Sequence, residues 1–345
     1  MSSASDNQES TSQHVFTILI MVITALLGIP GNFLVLWITG IKMKKTAINI
    51  WFSNLALVDM TCCLTFPFFI VQLFYDGWIY GPALCKILPS VVLFTMFASI
   101  FTLVAISVDR CILVVYPVWA KNHRTLQMAW IICLVIWLFS FLMCLPTVLY
   151  KTTFTKNSLT KCGYKHGGFQ YSNGSYISVE TFVSFPDKTV TFTRMIFGFL
   201  IPLFIISASY ACLTSKVKQT RFLKVGHKTT KVVIVIVIAF CVSWAPYHIM
   251  GIILLYFDNP VVTNLDLLSH ALAYSNSCIN PFLYVFLGKD MKNRVRQSLR
   301  ELLENVFSEE VAKSSTYSRS KNTKEDSIQL EGQKDYNCVN AIEIL

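Results

Sequence analysis

Polar residues along this chain are gathered into short clusters, and seven long apolar runs lie between them. The runs are Val15–Ile41, Ala47–Tyr75, Ile87–Val115, Met128–Tyr150, Met195–Leu213, Val232–Phe257 and Leu265–Leu287. At about 1.5 Å of helical rise per residue, each is long enough to cross roughly 30 Å of hydrocarbon. The pattern predicts an all-α membrane protein, a seven-transmembrane helix bundle over residues 15–287. Residues 1–14 are expected to form an extracellular tail, 288–307 an amphipathic juxtamembrane helix, and 308–345 a disordered cytoplasmic tail.

Composition agrees with this reading. The chain is 54% hydrophobic and 14% charged, with a mean hydropathy of +0.55. Its net charge of +10 sits mainly in alternate connections: Lys42, Lys44 and Lys45, then Lys121 and Arg124, then Lys216 to Lys231. The excess of lysine and arginine on one side predicts an outside N-terminus and a cytosolic C-terminus. This basic collar needs no nucleic acid to explain it. No basic segment precedes the first run, so that run is expected to act as a signal-anchor rather than a cleaved leader.

Polar residues inside the runs are the informative ones. Asn280-Pro281-Phe282-Leu283-Tyr284 places a helix breaker and an amide deep in the last run. That combination means a kinked helix facing protein, with neighbours supplying partners for the freed backbone groups. Asn276, Asn280 and Tyr284 recur every fourth residue on one face. Asn32, Asp59 and Ser99 fall at similar depth in the first three runs. A mid-span carboxylate costs about 2.5–3.5 kcal/mol on insertion scales, so Asp59 needs a partner or a hydrated cavity. Two readings stay open here: a helix-packing polar cluster, or an allosteric sodium site of Asp59, Ser99, Asn276 and Asn280. No other cofactor is expected.

Most of the eleven cysteines lie in or beside the spans. Cys85 and Cys162 fall instead on the outer, oxidising side, where pairing would tie the long outer loop to the third helix. No metal-ligand spacing, phosphate loop or nucleophile–base pair stands out, so an enzyme is not expected. A transporter or channel would need an internal repeat or a charged path, and neither is evident.

These markers together resemble the rhodopsin-like G-protein-coupled receptors over residues 15–300. The matching residues are Gly31-Asn32, Asn54-Leu55-Ala56-x-x-Asp59, Cys85, Asp109-Arg110, Trp137, Pro202, Tyr210, Phe240-x-x-x-Trp244-x-Pro246 and the Asn280–Tyr284 motif. The resemblance implies a switch built from Pro202, Ile100 and Phe240, with Trp244 and Pro246 beside it. It also implies that Arg110 meets a heterotrimeric G protein, by family likeness of the inhibitory type. Two departures stand out. Cys111 replaces the usual tyrosine after Arg110, and no acid opens the sixth helix. Arg110 is therefore expected to rest on Asp109 alone, with raised basal activity.

Further tracts are similar to the complement anaphylatoxin receptors, most of all their C3a branch. They include Asp76-Gly77-Trp78, Met96-Phe97-Ala98-Ser99, Cys162-Gly163-Tyr164-Lys165 and Trp244-Ala245-Pro246-Tyr247-His248. The outer half of the third helix has no acid for an amine ligand, and the seventh has no lysine for a Schiff base. Arg194, Asp266 and Lys151 remain as ligand contacts, suited to a peptide end with a carboxylate and a cation. The outer loop from Lys151 to Arg194 departs from the family by being short, with six basic residues against Glu180 and Asp187. This keeps C5a, a formyl peptide or a chemerin-like chemoattractant open as ligand, as well as a scavenging receptor with weak coupling. Asn173 heads a glycosylation sequon. The tail hydroxyls Ser314, Ser315, Thr316, Ser318 and Ser320 are candidates for a receptor kinase and then arrestin. The basic, amphipathic 288–307 segment suits anionic membrane lipid.

Overall fold

In the computed structural model, backbone is described for residues 2–156, 158–164, 169–172, 175–178, 185–219, 224–257, 260–287 and 296–297. Side chains are described over 13–155, 158–164, 187–216, 238–257, 261–281 and 296–297. Residues 1–291 form one unit and 292–345 a second. Apart from residues 296 and 297, which are helical, the expected eighth helix and the tail hydroxyls lie outside the described residues. So do Asn173 and the side chain of Tyr284.

The first span is α1 (Ser2–Trp37), which opens into a π turn over Ile38–Lys42. The second is α2 (Ala47–Cys63), continued by α3 (Phe66–Gln72). Thr46 caps α2 by accepting the Asn49 N–H at 3.3 Å, and Pro67 explains the break, since its ring cannot donate to the Cys63 carbonyl. The third span is α4 (Gly81–Val115), followed by a short α5 (Pro117–His123) in the second inner connection. The fourth is α6 (Leu126–Tyr150), capped by Thr125. The fifth is α7 (Phe185–Met195), a π turn (Ile196–Leu200) and α8 (Ile201–Gln219). The sixth and seventh are α9 (Lys224–Ile253) and α10 (Pro260–Leu287).

Among the described residues, five helical stretches are long and apolar enough to cross a membrane. α10 falls outside that set for a physical reason: Asp266, Ser269, His270, Asn276, Ser277 and Asn280 interrupt its apolar sequence. These same residues serve the interior. The bundle buries polar side chains among its apolar core and turns large apolar ones outward: Asp59 is 1% exposed, while Phe204 is 74% and Leu26 is 68% exposed. That inversion fits a lipid surround, where an exposed leucine costs nothing and a buried carboxylate needs partners.

α1 packs on α10 and α2, α10 on α9, and α4 on α6 and α8. Close approach of the first helix depends on two glycines. A Cβ on Gly28 would come within 2.6 Å of the Cys63 sulfur, and one on Gly31 within 3.2 Å of the Pro281 ring.

The sequence pattern did not predict the strands in the second outer loop. β1 (Lys151–Lys156) pairs antiparallel with β2 (Leu159–Tyr164), and β3 (Phe169–Ser172) with β4 (Ser175–Ser178). The β-branched run Thr152-Thr153-Phe154-Thr155 favours a pleated edge over a helix. Cys162 on β2 is disulfide-bonded to Cys85 on α4, so the first ribbon is fastened to the third helix.

Candidate functional site

The kink at Pro281 sets the middle of the bundle. Proline has no N–H, so the Ser277 carbonyl one turn earlier loses its helical donor. Asn32 supplies the replacement, its Nδ2 donating to the Ser277 carbonyl at 3.0 Å and to the Gly28 carbonyl at 2.9 Å. A residue of the first helix thus completes the backbone of the seventh. Beside it, the Asp59 carboxylate accepts Ser99 Oγ at 3.1 Å and Asn280 Nδ2 at 2.6 Å. The Ser277 hydroxyl borders the same carboxylate. Of the four residues expected around a cation, three are therefore joined directly. Asn276 is buried one turn away and is not among Asp59's partners. A second polar chain locks α2 to its neighbours: Trp137 Nε1 donates to Asn54 Oδ1 at 2.7 Å, and Asn54 Nδ2 donates to Thr102 at 2.8 Å.

Above this layer, Pro202 leaves the Gly198 carbonyl without its donor, and the chain answers with the π turn just before it. The turn inserts Phe199, which stacks on Phe240 at 5.7 Å between centroids. Ile100 and Phe240 are both buried, as expected for packing at a switch. Trp244 and His248 lie 6.1 Å apart on α9, near Pro246. Neither Trp244 Nε1 nor either ring nitrogen of His248 has a hydrogen-bond partner among the described residues. Toward the end of the bundle that holds Arg110, Ser107 donates to the Tyr210 hydroxyl at 3.3 Å, linking the third and fifth helices.

At the outer end, Arg194 and Asp266 do not meet directly. Arg194 Nη1 donates to the Tyr247 hydroxyl at 2.6 Å, and the guanidinium lies 4.3 Å from that ring's centroid. The Tyr247 ring meets His270 edge-on at 4.7 Å, and His270 Nδ1 is 3.4 Å from Asp266 Oδ2. The cation and the acid are thus the two ends of a row, with Tyr247 and His270 between them. Arg194 Nε is buried with no partner among the described residues, which leaves a donor available to an anion. Gly251 leaves room for the Arg194 guanidinium, which a Cβ there would displace.

Lys151 starts β1, its ammonium 5.5 Å from the Tyr164 ring centroid. Burial pushes its pKa down to about 8, against the pull of Asp187, and nearby Arg194 lowers it further. Burial likewise pushes the Tyr164 phenol up to about 12, although its bond with Thr147 favours the anion. Asp187, counted from sequence as a loop acid, stands in the first turn of α7.

Asp109, which interacts with Arg110, has a further partner: Arg124 takes its carboxylate bidentately, Nε at 2.7 Å and Nη2 at 2.9 Å. The short α5 folds Arg124 back beneath the third helix, and the fork geometry of guanidinium on carboxylate does the rest. From sequence, Arg124 was only part of the basic collar.

The family model described as 7 transmembrane receptor (rhodopsin family) matches residues 31–284. The chain belongs to that family. It is therefore a multi-pass membrane receptor of the G-protein-coupled class, not an enzyme. Among its relatives, the C3a anaphylatoxin chemotactic receptor of Oncorhynchus mykiss is 42% identical over 88% of this chain and 83% of its own length. The human protein of the same name is 31% identical, covering 87% of this chain and 92% of its own. The C5a anaphylatoxin chemotactic receptor 1 of Oryctolagus cuniculus is 37% identical over 89% and 86%. The human alignment extends over 442 positions, more than this whole chain, whereas the trout alignment extends over 312. The human protein thus carries inserted sequence that this receptor lacks.

Proposed function

We propose that this receptor recognises a complement anaphylatoxin of the C3a type and signals through a heterotrimeric G protein of the inhibitory class. The row from Arg194 through Tyr247 and His270 to Asp266 carries the reading. Its ends have opposite charge, which suits a peptide terminus bearing both a carboxylate and a basic side chain. The carboxylate is received by Arg194, with Lys151 adding charge from the loop, and the basic side chain by Asp266. The names of the relatives support the same ligand class. A peptide so placed sits over Trp244 and His248, and favours whichever packing of Ile100, Phe199 and Phe240 suits it better. The sixth helix then swings about Pro246 and uncovers Arg110.

Sodium at Asp59 belongs to this proposal. The donors there are hard oxygens, as such a cation prefers, and the nearby Asn32 Oδ1 is buried without a hydrogen-bond partner among the described residues. Bound sodium would neutralise Asp59 in the inactive packing. In the same reading the receptor sits in the plasma membrane with its N-terminus outside. Its tail hydroxyls take phosphate from a receptor kinase and recruit arrestin.

A second ligand is favoured by one observation. Identity to the rabbit C5a receptor, 37%, exceeds that to the human C3a receptor, 31%. Guanine-nucleotide exchange in membranes bearing the receptor separates the two, with C3a, C5a and formylated peptide added in turn. C3a acting at the lowest concentration supports the proposal. C5a acting there instead moves the assignment to the second reading, and response to neither anaphylatoxin sinks both.

A further inference from the structure

A cavity of about 360 Å³ opens between α2, α4 and α6 at the cytoplasmic end of the bundle, beneath the second inner connection. It is remote from the outer cup; of the residues given a role above, Asp109 and its partner Arg124 reach one end of it. Its walls are apolar except at one end, where Thr125 and the Asp109–Arg124 pair close it. Exposed Met128 and Trp119 frame it on the lipid-facing surface of the molecule. From Asp109 back to Phe101, the wall formed by α4 extends roughly 12 Å toward mid-membrane at helical rise.

Two features indicate what would fill it. Trp51 lines the cavity and is 3% exposed, yet its indole N–H has no hydrogen-bond partner among the described residues. A buried donor left open in this way calls for an acceptor. Local charge points the same way. Asp109 and Arg124 line this end and Arg110 is within electrostatic reach of both, two cations to one acid, and the fork on Asp109 uses Nε and Nη2 of Arg124, leaving Nη1 outside it. Trp51 is four residues into α2 and Asp109 six from the end of α4, so the indole and the arginine lie at similar depth. An occupant therefore needs an anionic, acceptor-bearing head at the cytoplasmic interface and one slender apolar body running inward.

We propose that this cavity is a binding site for a long-chain fatty acid of the inner leaflet, its carboxylate at the Trp51–Arg124 end and its chain passing Val104 and Ile132. A sterol hydroxyl would answer the indole but leave the positive charge unmatched, and a diacyl lipid has one chain too many for the slot.

The test uses the whole receptor in phosphatidylcholine nanodiscs with a diazirine-bearing palmitate as probe. Saturable labelling is expected on peptides from α2, α4 and α6 that line the cavity. Oleate should compete at about one-tenth the concentration needed for methyl oleate or cholesterol, the scale of one lost charge-assisted contact. Trp51→Phe keeps the shape and removes the donor, and Arg124→Gln removes the charge. Each should weaken labelling about five- to tenfold, again one hydrogen bond's scale. Val104→Phe fills the slot and should abolish saturable labelling; if it does not express, Trp51→Phe carries the test. Equal competition by methyl oleate or by cholesterol would overturn the proposal, as would labelling insensitive to Trp51→Phe and Arg124→Gln. The readout needs neither peptide nor G protein, so it stands apart from the ligand assignment above.

Discussion

Asn32 and Pro281 test the account at the scale of single residues. Asn32→Leu leaves the Ser277 carbonyl buried without its donor, and should destabilise the detergent-solubilised receptor by about 1–3 kcal/mol. Pro281→Ala restores an N–H to that carbonyl. Added to Asn32→Leu, it should recover part of the loss, so thermal unfolding of the two single variants and the double would show coupling. Lys151 offers a pH test. With its pKa near 8, the lysine is charged at pH 7 and mostly neutral at pH 9. A carboxylate-bearing peptide should lose up to about tenfold in affinity across that range, and Lys151→Arg should flatten the dependence. Asn32, Asp59, Ser99 and Asn280 were legible in the sequence because a polar group in an apolar run must find a partner. Tyr247, His270, Phe199 and Arg124 were not. By type they are ordinary interfacial, core or loop residues, and only the fold places them beside Arg194, Asp266, Phe240 and Asp109.

Helices were readable as lengths, and their irregularities only in part. Each proline inside a span was visible, but not how the chain would accommodate it: a break at Pro67, a π turn before Pro202, a borrowed side chain at Pro281. Two predictions belong to elements. On α9, Gly251→Ala should displace the Arg194 guanidinium and, like Arg194→Ala, should cut peptide potency about tenfold with surface expression retained. In the second inner connection, Arg124→Ala leaves Asp109 to Arg110 alone. Basal nucleotide exchange should then fall severalfold, since one charge-assisted pair replaces another. Unaltered basal exchange would mean that the Asp109 pair does not restrain Arg110.

For the whole molecule, seven apolar runs were enough to read the seven-helix architecture, and the charge asymmetry of their connections supplies its proposed orientation. The bilayer imposes that pattern, and no tertiary information is needed to see it. The strands of the outer loop were not readable from the apolar runs, although its tether, Cys85–Cys162, was. Ligand identity sits furthest from the sequence: it depends on two charges, Arg194 and Asp266, held apart by aromatic side chains. The most direct test is nucleotide exchange driven by a synthetic C3a C-terminal peptide, its amidated form and a form lacking the basic terminal side chain, on wild type, Arg194→Ala and Asp266→Ala. On wild type, each peptide change should lower potency by about tenfold or more, the scale of a desolvated charge contact. Amidation should then make no further difference on Arg194→Ala, nor loss of the basic side chain on Asp266→Ala. Full and independent losses in every combination would contradict the pose and, with it, the two-charge account of recognition.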